Sequence, residues 1–142
     1  MTKLLLSITS SIIFCALLVA QPGSTGSTRR LLTEQEAKDL AVLALPKGTV
    51  DLPGFSLEAV PSNTTCISFD GLWDNPKGSA HIDFWLVNRR TGDVWRGVDP
   101  VCRRVISAEL SSAQKRVREQ LGVSAAEEKA ERNRVCCADV LR

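Results

Sequence analysis

The stretch from His81 to Trp95 constrains the fold of this chain more than any other. It carries two runs of β-branched and aromatic residues joined by turn-forming ones, and such residues suit a pleated, half-buried surface. In the first run Ile82, Phe84 and Leu86 alternate with Asp83, Trp85 and Val87, so a strand sends the two sets to opposite faces. Both sets are partly apolar. The expectation is therefore a central strand with its better face on a helix and the other face partly shielded. Asn88-Arg89-Arg90-Thr91-Gly92 supplies the turn, because Asn tolerates turn conformations and Gly92 can adopt the left-handed one. Arg89 and Arg90 are then expected at the tip, in water.

The chain opens with Lys3 and an apolar run from Leu4 to Ala20, followed by Gln21-Pro22-Gly23. This is the form of a secretory signal peptide over residues 1–20, an uncleaved membrane anchor being the alternative. Cleavage leaves about 120 residues, enough for one domain with one core. The protein is then expected to be secreted or periplasmic, with no membrane association after cleavage.

Export also decides how the cysteines are read. Without Cys15 four remain, Cys66, Cys102, Cys136 and Cys137, and an even count in an exported chain suggests disulfides. Bonding the neighbours Cys136 and Cys137 strains the peptide between them. Cys66 with Cys102 is the favoured pairing, and linking both to the tail pair is its main rival. A disulfide-linked dimer through Cys136 or Cys137 is a further reading. No metal or other cofactor is expected, since Cys-x-x-Cys spacing is absent and His81 is the only histidine. Charge is nearly balanced, 18 basic against 16 acidic residues before Lys3 leaves, which does not suggest a nucleic-acid binder.

Around the hairpin the elements follow in order. Residues 21–30, rich in Gly, Ser and Thr, read as a flexible leader. Thr33 with Glu36 forms a capping box, and Ala37, Leu40, Ala41 and Ala44 give an apolar helical stripe ended by Pro46 and Gly48. Strands are expected over 55–60 and 65–73. Asn63-Thr64-Thr65 is formally a glycosylation acceptor. After Gly97-Val98-Asp99-Pro100 two readings compete: Asp99 caps a helix with Pro100 in its first position, or, as preferred, residues 101–106 stay extended and Ser107 caps a helix that carries Leu110, Ala113, Val117 and Leu121. Ser124 and Glu127 open a short charged helix. The domain plan is thus 31–122 for an α+β unit and 123–142 for a charged helical tail with the cysteine pair.

Few residues suggest chemistry. His81 and Asp83 stand two apart on one strand and share a face, and Asp70 lies across from them on its neighbour. Together with Asp74 they are the candidate acid–base residues. Solvated aspartates beside a strand end are the blander account and the preferred one. With no nucleophile elbow, no phosphate loop and no metal cluster, the chain is not expected to be an enzyme. Trp73, Trp85 and Trp95 are read either as core or, with Arg89 and Arg90, as a binding surface, since tryptophans anchor interfaces. Trp85 and Trp95, one on each arm, are expected to pair across the hairpin.

The helix opened by Thr33-Glu34-Gln35-Glu36-Ala37, followed by strands and by the run from Trp85 to Val94, resembles the PepSY-type and related cystatin-like small domains over residues 32–99. Asn88 stands where those have an aspartate, and Asp93 where they have a glutamate. The resemblance implies an exported, non-catalytic domain with peptidase inhibition or protein binding as its role. It transfers no functional residue, and fold likeness alone does not give function.

These readings combine into an α+β protein: an N-terminal helix packed on a three- to four-stranded antiparallel meander, followed by one or two C-terminal helices. A protein-binding module with an unknown protein partner leads. A small hydrolase-like enzyme using His81 with Asp70 or Asp83 is the alternative, and a structural protein cross-linked through Cys136 or Cys137 is a third.

Overall fold

The computed structural model describes residues 29–61, 65–98, 101–132 and Cys136. The signal segment 1–20, most of the leader, the Asn63 acceptor and Cys137 lie outside the described residues. The element order is α1 (Glu34–Leu43), β1 (Phe55–Val60), β2 (Cys66–Asn75), β3 (Gly78–Asn88), β4 (Val94–Val98), β5 (Val101–Arg104), α2 (Ala108–Gln120) and α3 (Ala125–Arg132). The strands form one antiparallel meander in chain order. Among the described residues the sheet has five strands, which corrects the expected three or four. Residues 101–104, read from sequence as merely extended, pair with β4 from Trp95↔Arg104 to Val98↔Val101.

Local signals explain the helices. Thr33 accepts from the Glu36 amide while the Glu36 carboxylate accepts from the Thr33 amide, so two of the first-turn donors are satisfied reciprocally. Ser107 caps α2 by accepting from the Leu110 amide, and Ser124 with Glu127 repeats the reciprocal cap at α3. Gly122 leaves α2 with φ 61°, in the left-handed region where glycine carries no Cβ penalty.

One face of the sheet lies under the helices. Leu57, Ile67, Phe69, Trp85, Val87 and Val94 project from it and pack with α1 through Ala37, Leu40 and Ala41 and with α2 through Leu110 and Ala113. The other face holds a smaller cluster of Cys66, Leu86, Trp95 and Cys136, with Phe84 and Cys102 against it. Cys66 is bonded to Cys136, 70 residues away. The favoured Cys66–Cys102 pairing is therefore not the one formed. Cys102 is also disulfide-bonded. Cys66 stands at the start of a central strand with its side chain on the face away from α1, where the chain returns after α3.

Candidate functional site

The turn between β3 and β4 is where the segment leading into α1 meets the end of α2 and the start of α3. The Asn88 side-chain oxygen accepts from the amides of Arg90 and Thr91, an Asx-type closure of the turn, and the Gly92 amide donates to the Asn88 carbonyl. Gly92 has φ 71°, and a Cβ there would sit 2.9 Å from Leu40 Cδ1. Both backbone and packing therefore select glycine. Arg89 and Arg90 do not stand in water. Arg89 Nε donates to the Leu32 carbonyl, and the Leu32 amide donates back to the Arg89 carbonyl. Arg90, with only 12% of its side chain exposed, donates to the carbonyls of Arg30 and Leu121 and pairs with Glu127. They hold the ends of α1, α2 and α3 together instead of offering a surface.

Beside this turn lies an ion network that the sequence reading missed. Asp93 is fully buried and receives Arg104, Arg118 and the Thr91 hydroxyl. Arg118 also donates to the Thr91 carbonyl and pairs with Glu128 of α3 at 3.0 Å. Gln114 donates to the Gly92 carbonyl. The three partners come from β5, α2 and the turn, so no sequence spacing announces them. Between α3 and the segment leading into α1 lies a cleft of about 410 Å³ lined by Arg29, Leu31, Thr65, Arg90, Glu127, Ala130 and Glu131. The Ser124 amide and hydroxyl, then Arg90 and Arg29, pull the Glu127 carboxyl down to about 2. Glu127 is thus a carboxylate already committed to the protein's own cations and cap.

The acid–base candidates are divided by a β-bulge. The register runs Gly71↔Asp83 and then Leu72↔His81, which leaves Ile82 as an extra residue. Paired residues share a face, so this slip turns His81 away from Asp83 and toward Asp70. The expectation that His81 and Asp83 share a face is thereby overturned. His81 Nε2 lies 3.6 Å from Asp70 Oδ1, with side chains 50% and 37% exposed, beyond hydrogen-bond reach. Asp83 is buried on the other face and takes Arg96. Asp74 accepts from the Ser79 hydroxyl near the tip of the β2–β3 hairpin. The four groups do not converge. Among the described residues no group of His, Cys, Asp and Glu is placed to hold a metal.

The tryptophans part company as well. Trp85 is fully buried and Trp95 is 4% exposed, so neither belongs to a binding surface. They do not pair either, because the register sets Trp85↔Arg96 and Leu86↔Trp95 and sends the two rings to opposite faces. Trp73 alone is exposed, at 37%. It sits opposite Phe55, and its indole N–H donates to the Pro53 carbonyl at 3.0 Å. The neighbouring loop leaves Val50 and Leu52 exposed too, while hydrogen bonds from Leu52 to Thr49, Phe55 to Leu52 and Asp74 to Gly54 fix its backbone.

No family model matches this chain, and no curated protein matches it. Among solved structures it is similar to a chain in the structure of a type VI secretion system effector–immunity complex from Pseudomonas protegens. The identity is 26% and the TM-score 0.60, over 72% of this chain and 88% of that one.

Proposed function

We propose that this protein is an exported, non-catalytic binding module that occupies and restrains another protein, as the inhibitory member of an effector–immunity type of pair. The observation that carries the binding reading is the likeness to a chain of an effector–immunity complex over nearly nine-tenths of that chain, which does not by itself choose between the two members. The inhibitory role implied by the PepSY-type and cystatin-like resemblance points the same way. The dispersal of His81, Asp70, Asp83 and Asp74 favours binding over catalysis. Export is supported by the form of residues 1–20 and by the Cys66–Cys136 bond, since disulfides persist in oxidising compartments.

A hydrolase-like enzyme remains as a second reading on one observation, the approach of His81 to Asp70. Cross-linking to another chain through Cys136 is set aside, because that sulfur is bonded to Cys66 within the chain.

Chemical cross-linking of the tagged full chain in the cells that make it, followed by mass spectrometry, tests the proposal. The expected result is one protein partner that re-forms a stoichiometric complex with the purified chain and loses its own activity there. A chain that stays without a partner, or that has a hydrolytic activity of its own abolished by His81→Ala, overturns it.

A further inference from the structure

Resting on the protein-binding reading, we propose that the outer edge of β1 is the docking site, and that it takes an extended segment of the partner carrying a lysine or arginine, added to the sheet as a sixth strand. Among the described residues β1 forms one edge of the sheet. The Asp74 amide donates to the Gly54 carbonyl, which makes Gly54 and Asp74 a hydrogen-bonded pair. Antiparallel ladders alternate such pairs. Ser56, Glu58 and Val60 therefore turn their backbone groups toward β2, whereas Phe55, Leu57 and Ala59 turn theirs outward. The Phe55 amide is taken by the Leu52 carbonyl in the preceding turn, which agrees with that phase. Among the described residues nothing takes the outward groups of Leu57 and Ala59, which leaves them to receive a strand.

Proteins guard such an edge with a proline, a bulge, charged side chains or a covering segment. β1 contains no proline and no bulge. Pro53 and Pro61 flank it, the bulge lies between β2 and β3, and its one charge is Glu58. Charge then specifies the occupant. Glu58 stands directly opposite Asp70, and like charges directly opposed across strands are destabilising. Among the described residues no cation pairs with Glu58, whose side chain accepts only from Ser56 at 3.4 Å. A strand laid along β1 places one residue beside Glu58 on that same face. A lysine or arginine there would offset both carboxylates. The exposed Leu52 and Trp73 beside the start of the strand offer an apolar shelf for the segment's next large side chain. Main-chain bonding along an edge with side-chain pockets for specificity is an established way for proteins to take extended peptides.

The test uses a displayed library of random dodecapeptides selected on the full-length protein, with Kd values of the enriched peptides measured by fluorescence anisotropy. Ala59→Pro removes one outward donor without touching the β1–β2 ladder, a position where an edge tolerates proline. Glu58→Lys reverses the charge while relieving the Glu58–Asp70 opposition, so the variant should melt no lower than the parent. The expected result is enrichment of alternating apolar and basic peptides whose affinity falls about tenfold or more in each variant. No enrichment, or peptides that bind both variants as well as the parent, overturns the edge assignment. It leaves the protein-binding reading intact, because cross-linking tests that separately. Slow hydrogen exchange at the Leu57 and Ala59 amides of the free monomer would show the chain's own residues on the edge and also overturn it. So would a dimer that Ala59→Pro dissociates, because the occupant would then be a second copy.

Discussion

Replacing Asp93 by Asn tests how much of this fold hangs on one carboxylate. Asp93 is fully buried, and it accepts from Arg118 at 3.1 Å, from Arg104 and from the Thr91 hydroxyl at 2.9 Å. The asparagine keeps the shape and removes the charge, leaving two guanidinium groups facing a neutral side chain. Removing one partner of a buried pair costs about 3–5 kcal/mol, because the remaining charge stays desolvated. Arg118 is 15% exposed and Arg104 28%, so water reaches both and the lower figure applies, about 3 kcal/mol. In a domain of about 120 residues each kcal/mol moves Tm by roughly 4 °C, which gives a fall of about 12 °C. Thermal unfolding followed by circular dichroism reads this directly. The gap between parent and variant should persist in 1 M NaCl, where the screening length is about 3 Å, since screening acts weakly on buried pairs. A fall under about 4 °C would place the network with exposed ion pairs, which contribute about 0–1 kcal/mol, and refute the argument.

Three further outcomes follow from the geometry. A Cβ at Gly97 would lie 1.8 Å from Phe84 Cζ, so Gly97→Ala should cost about 1–3 kcal/mol in urea unfolding by overpacking, and Phe84→Ala in the same chain should recover part of it. Cys136→Ser opens a bond spanning 70 residues and should lower stability by about 4 kcal/mol on the chain-entropy account. Its tryptophan emission should shift to the red as Trp95 loses cover, and an unshifted spectrum would show that Cys136 does not shield that face. The Glu127 carboxyl is lowered from 4.5 to about 2, first by the Ser124 amide. A depressed carboxyl contributes stability that is fully present above 4.5 and lost as pH falls toward 2. The Ser124 and Glu127 amide resonances should therefore titrate with a midpoint near pH 2, whereas a midpoint near 4.5 would deny the cap.

Local chemistry was legible in the sequence and non-local pairing was not. The caps at Thr33, Ser107 and Ser124 depend on residues three apart, so spacing alone revealed them. The fifth strand was hidden because Gly97-Val98-Asp99-Pro100 has the composition of a break, yet Val98 pairs with Val101 across it. The bulge at Ile82 was invisible for a similar reason. Alternation along β3 is unbroken in sequence, and only the register against β2 shows that one residue is surplus. That surplus residue moves His81 to the face opposite Asp83 and dissolves the acid–base pair that spacing suggested. A hairpin tip usually stands in water, which is what the sequence suggests for Arg89 and Arg90. What receives them are carbonyls of Leu32, Arg30 and Leu121, brought there by segments about 30 to 60 residues away.

On the proposed docking site, stability and recognition fall to different parts of the sheet. At the turn end Arg89, Arg90, Arg104 and Arg118 each meet a carbonyl or a carboxylate, and the Cys66–Cys136 bond closes the adjoining face. A partner docking there would have to displace bonds the chain already makes. At the other end Glu58 opposes Asp70, Leu52 and Trp73 are exposed, and an edge strand keeps outward backbone groups. There a partner gains bonds without breaking any. The loop from Thr49 to Phe55 is held by its own hydrogen bonds, so little order is lost when that surface is covered, and preorganisation of this kind favours affinity. Exposed apolar side chains and an opposed like-charge pair both count against the free chain, and an added strand with a basic residue would relieve both. Of the surfaces described, that one gains most from being covered by another protein.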